Sequence, residues 1–206
     1  MSCRVKICGI TNLNDALQAI DAGADALGFV FYDKSPRYVS PKVANEIVAQ
    51  LPPFVVPVGL FVDAESALIT EVTQACSRWV VQFHGDESPE ECDAHKVPYY
   101  KALRMKPAMD VAAEANRYPK SLAILLDAYK PGVPGGTGET FDWAAIPSDL
   151  PKPLILAGGL TPDNVELAVE SVQPYAVDVS GGVEQAKGIK NPQKVVQFIN
   201  GAKCRG

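Results

Sequence analysis

Arg4-Val5-Lys6-Ile7-Cys8-Gly9-Ile10-Thr11-Asn12, near the start of the chain, reads as a short β-type run that ends in a thiol and a glycine turn and leads at once into a helix start. In parallel α/β proteins the carboxyl ends of the strands are where active sites sit, so Cys8 stands where a nucleophile or base is wanted. The same unit recurs to the end of the chain. Strand-like runs rich in Val, Ile, Leu and aromatics follow at Ala26–Phe31, Val55–Phe61, Trp79–Phe83, Tyr99–Leu103, Leu122–Asp127, Pro153–Ala157 and Ala176–Ser180, which with Arg4–Cys8 makes eight. Between them helix starts are expected at Asn12, Ser40-Pro41, Asp63-Ala64-Glu65, Ser88-Pro89, Thr161-Pro162-Asp163 and Asn191-Pro192, where a cap residue is commonly followed by a first-turn proline. The weakest helices are the fifth, Ala108–Asn116, and the sixth, where Phe141-Asp142-Trp143 allows one turn. Alternating units with near-continuous apolar strands imply a parallel sheet covered by helices. Eight of them predict an α/β fold of the single (β/α)8 TIM-barrel type over residues 1–206, with an open doubly wound sheet as the alternative.

With 47% hydrophobic and 21% charged residues, 206 positions suffice for one substantial core. A net charge of -5 supplies no basic field for a polyanion, so nucleic acid is not an expected partner. No apolar run reaches the length of a membrane span, and Arg4, Lys6 and Asn12 interrupt the start of the chain where a signal peptide would be apolar. A cytoplasmic protein is expected, as monomer or homodimer. Cys3, Cys8, Cys76, Cys92 and Cys204 include no CxxC spacing, which favours reduced thiols over a disulfide frame or zinc site. His84 and His95 are the sole histidines, too few for a metal cluster, and no cofactor is expected.

In a barrel the strand ends share one mouth. Here they carry Cys8, Gln82-Phe83-His84, Arg104, Asp127, Gly158-Gly159 and Ser180-Gly181-Gly182. The glycine pairs follow strands seven and eight, where such barrels commonly hold phosphate on backbone N–H groups; their alternative role is to relieve crowding in tight turns.

Lys6-Ile7-Cys8-Gly9-Ile10-Thr11, Ser35-Pro36-Arg37-Tyr38-Val39, Gln82-Phe83-His84-Gly85-Asp86-Glu87, Gly135-Gly136-Thr137-Gly138 with Phe141-Asp142-Trp143, Ala157-Gly158-Gly159-Leu160, Asp178-Val179-Ser180-Gly181-Gly182-Val183-Glu184 and Gly188-Ile189-Lys190 run in order along essentially the whole chain. Together they resemble the phosphoribosylanthranilate isomerases. The resemblance implies an Amadori rearrangement of N-(5-phosphoribosyl)anthranilate, a small phosphosugar substrate, to the 1-deoxyribulose 5-phosphate in tryptophan biosynthesis. It implies that Cys8 is the general base, Asp127 the general acid and Arg37 the holder of the anthranilate carboxylate. Gln82 and His84 are then expected at the substrate, and Gly158, Gly159, Ser180, Gly181 and Gly182 at its phosphate. One departure is visible: the family usually has two serines before glycine and valine, whereas this chain has Ser180-Gly181-Gly182.

The chemistry asks for the same residue types. Opening a glycosylamine ring needs a proton on the ring oxygen, and the imine then loses its C2 proton, so one acid and one base suffice. A cysteine of pKa about 8.5 needs nearby positive charge to act as that base. Lys6, on the same strand face as Cys8, would supply it. Alternatively Lys6 pairs with Asp178 of the neighbouring eighth strand as a structural bridge, leaving less field for the thiol. Asp127 is too far from the next helix signal to be needed as a cap, and Arg37, set by Pro36, has the planar fork suited to a carboxylate. Cys3, Cys76, Cys92, Cys204, Trp79 and Trp143 read as packing or surface residues. The segment Pro131–Gly138 has the glycine content of a lid expected to order over ligand. Two other functions stay open, the histidine-pathway isomerisation of a phosphoribosyl carboxamide, against which the thiol argues, and a non-catalytic phosphosugar-binding barrel.

Overall fold

The computed structural model describes residues 3–106, 109–128 and 142–203. Its centre is a closed barrel of eight parallel strands: β1 (Arg4–Cys8), β2 (Ala26–Val30), β3 (Val56–Phe61), β4 (Val80–Phe83), β5 (Tyr99–Met105), β6 (Ile124–Ala128), β7 (Leu154–Leu156) and β8 (Ala176–Val179). β1 pairs with β2 on one side and β8 on the other, and Lys6 stands level with Asp178. Closure through that seam rules out the open sheet.

Strand ends differ from the sequence reading by a residue or two. β5 runs on to Met105 because Arg104 and Met105 find partners in Asp127 and Ala128 of β6. β8 stops at Val179, since Ser180 already turns into the short 3-10 turn Gly181–Val183.

Around the barrel lie α1 (Leu13–Asp21), α2 (Pro41–Val48), α3 (Ser66–Gln74), α4 (Pro89–Ala94), α5 (Val111–Asn116), α6 (Val165–Val172) and α7 (Pro192–Lys203). The caps at Asn12, Ser40 and Ser88 hold as the sequence suggests: each side chain accepts from a first-turn amide, and Ser88 with Glu91 completes a capping box. Three starts move. Asp63 adopts φ 47° and its carboxylate accepts from the Asp86 amide, so α3 begins later, after Glu65. Thr161-Pro162 stays in the loop because Asn164 folds back, accepting from the Thr161 amide and donating to the Gly159 carbonyl, and α6 starts at Val165. Asp110 caps α5, which therefore starts at Val111; residue 108 lies outside the described residues. Between β6 and β7 a 3-10 turn, Trp143–Ala145, capped by Asp142, stands where the other units have a helix. Residues 129–141, with the expected lid and the Gly135–Gly138 motif, and Cys204 also lie outside.

Two apolar layers hold the barrel. Inside it pack Val58, Ala102, Leu125, Ile155, Ala157 and Ala176 with Tyr100; outside, strand residues such as Ile7, Leu27, Phe29 and Val177 meet the helices. Trp79 is buried edge-to-face against Phe29 (5.4 Å between centroids), whereas Trp143 is half-buried against the outer layer. After β8, β9 (Glu184–Ala186) and β10 (Ile189–Lys190) form a small antiparallel hairpin over the mouth. Among the described residues no helix is long and apolar enough to cross a membrane.

Candidate active site

At the carboxyl ends of the strands Cys8, Arg37, Gln82, His84, Asp127, Gly158, Gly159, Ser180, Gly181 and Gly182 all line one cavity. Arg104, expected at the same mouth, does not line it; its guanidinium donates to Asp86 instead, at 2.6 Å.

The backbone makes room for this convergence. Opposite Cys8 in the ladder is Gly28, and a methyl group there would stand 2.6 Å from the Cys8 Sγ, so glycine on β2 creates the space the thiol occupies. Gly158 and Gly159 both have positive φ (83° and 65°), and a side chain at Gly182 would run into the Leu160 carbonyl oxygen. These turns thus carry bare backbone to the cavity wall. The hydroxyl of Ser180 is buried there without a partner among the described residues.

Cys8 and Lys6 lie on one face of β1, and Lys6 donates to Asp178 at 2.8 Å inside the barrel, which realises the structural bridge. Burial works to strip the Lys6 ammonium of its proton, but the Asp178 carboxylate, with smaller help from Cys8 and Tyr100, holds it well above its ordinary value. For Cys8 burial is again the largest influence and pushes the thiol up. Lys6 pulls the other way, and Asp178 cancels part of that pull. The resting group is therefore a thiol that ionises above the usual range.

The Lys6–Asp178 bridge carries a stability prediction. Asp178→Ala strands a buried ammonium and is expected to lower unfolding stability by about 3–5 kcal/mol, while Lys6→Met with Asp178→Leu loses much less. Because the folded pKa of Lys6 is raised, the pair's contribution is complete below the unfolded lysine value of about 10.4 and fades only as pH rises through the higher folded one. Urea unfolding of the single and double variants checks this, and equal losses would contradict it.

Asp127 projects from β6. Its Oδ1 accepts from the Ala128 amide at 2.8 Å, and its Oδ2 faces the Nε2 of His84 at 3.2 Å. His84 in turn meets Gln82, whose Nε2 is 2.7 Å from the ring Nδ1, while the Gln82 Oε1 accepts from the Tyr100 hydroxyl at 2.8 Å. Both ends of the Gln82 amide are thus engaged by the protein.

Arg37 is held by a residue the sequence reading did not single out. Its Nε and Nη2 donate to the two oxygens of Glu184, at 2.7 and 2.8 Å. Lys190 donates to the same carboxylate at 3.0 Å and to the Ser180 carbonyl at 3.2 Å. Burial opposes the charge on Glu184, yet Arg37 and Lys190 keep its carboxyl below the ordinary range. Glu184 and Lys190 stood inside the quoted motifs, but only their contact with Arg37 reveals their task. The other missed participant is Tyr100, which packs inside the barrel with Ala102 of the same strand; a hydroxyl on that inward face was the available signal.

A model of the N-(5'-phosphoribosyl)anthranilate (PRA) isomerase family matches residues 5–201. The chain is 64% identical, over 99% of its own length and 100% of the relative's, to N-(5'-phosphoribosyl)anthranilate isomerase of Marinomonas sp. (strain MWYL1). Among solved structures it is similar to phosphoribosyl anthranilate isomerase from Thermotoga maritima, at 44% identity and a TM-score of 0.88 with 98% of both chains covered. It is also similar to a phosphoribosyl anthranilate isomerase in complex with reduced 1-(o-carboxyphenylamino)-1-deoxyribulose 5-phosphate, at 43% identity, TM-score 0.86 and 98% coverage of both.

Proposed function

The chain belongs to the N-(5'-phosphoribosyl)anthranilate isomerase family, and from that premise we infer that it converts this phosphosugar to 1-(2-carboxyphenylamino)-1-deoxyribulose 5-phosphate in tryptophan biosynthesis, with Asp127 as acid and Cys8 as base. The observation that carries the reading is one cavity lined by a thiol from β1, a carboxyl from β6 and two glycine turns after β7 and β8.

Asp127 delivers a proton to the ribose ring oxygen as the C1–O bond breaks and the nitrogen lone pair closes the C1=N bond. Cys8 then takes the proton from C2, and those electrons form the C1=C2 bond of an enolamine as the iminium is neutralised. Protonation at C1 while the C2 hydroxyl becomes a carbonyl gives the ketose. The sequence is an isomerisation, with no net gain or loss of electrons or protons. Burial raises the Cys8 thiol, and the positive charges of Lys6 and Lys190 are what favour its thiolate against that effect.

Phosphate fits the bare backbone of Gly158-Gly159 and Ser180-Gly181-Gly182, with the unpartnered Ser180 hydroxyl as a further donor. Arg37, its Nε edge fixed by Glu184, has Nη1 to offer the anthranilate carboxylate. Conversion of N-(5-phosphoribosyl)anthranilate by the purified protein, followed as loss of its fluorescence, tests the function, and an absence of turnover rejects it. Arg37→Ala is expected to weaken substrate binding about 10–100-fold, the worth of a charge-assisted hydrogen bond, with kcat changed less. Undiminished binding of anthranilate-type ligands by Arg37→Ala would remove the clamp from this scheme.

A further inference from the structure

Tyr100, Gln82 and His84 form a buried hydrogen-bonded line that leads to Asp127, with the Lys6 ammonium on its far side, and we propose that this line locks His84 as its Nε2–H tautomer, making it the positioning residue that receives the charge Asp127 develops. The proposal rests on the reading of Asp127 as the acid.

The direction of every hydrogen bond follows from one end. Lys6 has only donors, and its ammonium, held by Asp178 at 2.8 Å, acts electrostatically on the Tyr100 hydroxyl, so the phenolic hydrogen finds no acceptor on that side. The Tyr100 hydrogen must then point to the Gln82 Oε1, 2.8 Å away. With that oxygen assigned, the Gln82 Nε2 is the atom 2.7 Å from the His84 Nδ1, and an amide nitrogen can only donate. Nδ1 accepts, so the neutral ring carries its proton on Nε2, the nitrogen that faces the Asp127 Oδ2 at 3.2 Å and has no other partner among the described residues. Reversing the line would aim a phenolic hydrogen at an ammonium. Gln82 is fully buried and His84 nearly so, which leaves no bulk water to supply an alternative partner.

The consequence falls on the acid step. When Asp127 gives its proton to the sugar, the carboxylate left behind has the Ala128 amide on Oδ1 and the His84 Nε2–H opposite Oδ2. Donors already in place stabilise charge that appears only as the reaction proceeds. The His84–Asp127 approach lacks ideal alignment at rest and closes by a small turn of the ring, as such bonds do in reacting complexes.

The test uses histidine labelled with 15N. The chain has two histidines, and His95→Gln assigns the remaining signals to His84. The wild-type protein is expected to show His84 protonated on Nε2 alone. Gln82→Glu keeps the shape of the link but places an acceptor against Nδ1, so the spectrum should move to an Nδ1-protonated ring, and kcat should fall about tenfold or more, part of the ~10²–10⁴ that general acid catalysis contributes, with KM changed less. Tyr100→Phe, which retains the ring volume, should release the amide and yield a mixture of tautomers with reduced kcat. An Nδ1–H tautomer in the wild type overturns the proposal, as does either variant keeping both the wild-type spectrum and the wild-type kcat. Full turnover by Asp127→Asn would instead remove the acid assignment while leaving the tautomer result in place, so the two failures are distinguishable.

Discussion

Cys8→Ala is expected to lower kcat by about 10²–10⁴-fold, the contribution of a positioned base, while the variant unfolds at nearly the wild-type urea concentration. The fold survives because Sγ sits at the cavity wall in space left by Gly28, so its removal opens no large void in either apolar layer. Cys8→Asp should keep part of the activity, since a carboxylate also takes protons. Burial raises the thiol, so alkylation by iodoacetamide should be slower at neutral pH than for an ordinary exposed thiol and should still be accelerating above pH of about 8.5. A bound phosphorylated ligand should slow it. Cys3, Cys76, Cys92 and Cys204 also react in principle, so the alkylated residue is located by peptide mass mapping. Turnover by Cys8→Ala near the wild-type rate would end the proposed mechanism.

Asp127→Asn is expected to cost a comparable factor, about 10²–10⁴ in kcat, with little change in KM. Asparagine keeps the size of the side chain and can still accept from the Ala128 amide, so the geometry of β6 is retained. What disappears is the transferable proton, and with it the means of opening the sugar ring. Steady-state kinetics on folded variant protein decide the matter: a raised KM at constant kcat would make Asp127 a binding residue and not an acid.

The barrel was legible because each strand is a compact apolar run and each glycine turn lies where a strand must end. Helix starts were legible where the cap bonds within its own first turn, as at Asn12 and Ser88. They were not where the polar side chain serves a neighbouring loop: Asp63 ties β3's loop to β4's, and Asn164 braces the turn at Gly159. Cys8, Gln82, His84, Asp127 and the glycine turns could be marked by strand position, whereas Arg37 is marked only by the family resemblance and Arg104, marked by position, turns to Asp86 instead. The partners of these residues could not be marked, since Glu184 lies far from Arg37 along the chain and Tyr100 far from Lys6, and only the register of the closed barrel brings such residues together.

The seam between β1 and β8 also has a meaning in time. Lys6 and Cys8 are synthesised well before Asp178, which neutralises Lys6 from 172 positions away. A chain arrested before residue 176 has no eighth strand, so it presents two open sheet edges and an ammonium without its carboxylate. Glu184 and Lys190, which fix Arg37, come later still. The electrostatic setting of the thiol and the hold on Arg37 are therefore completed together, by the stretch from Asp178 to Lys190, when the barrel seals.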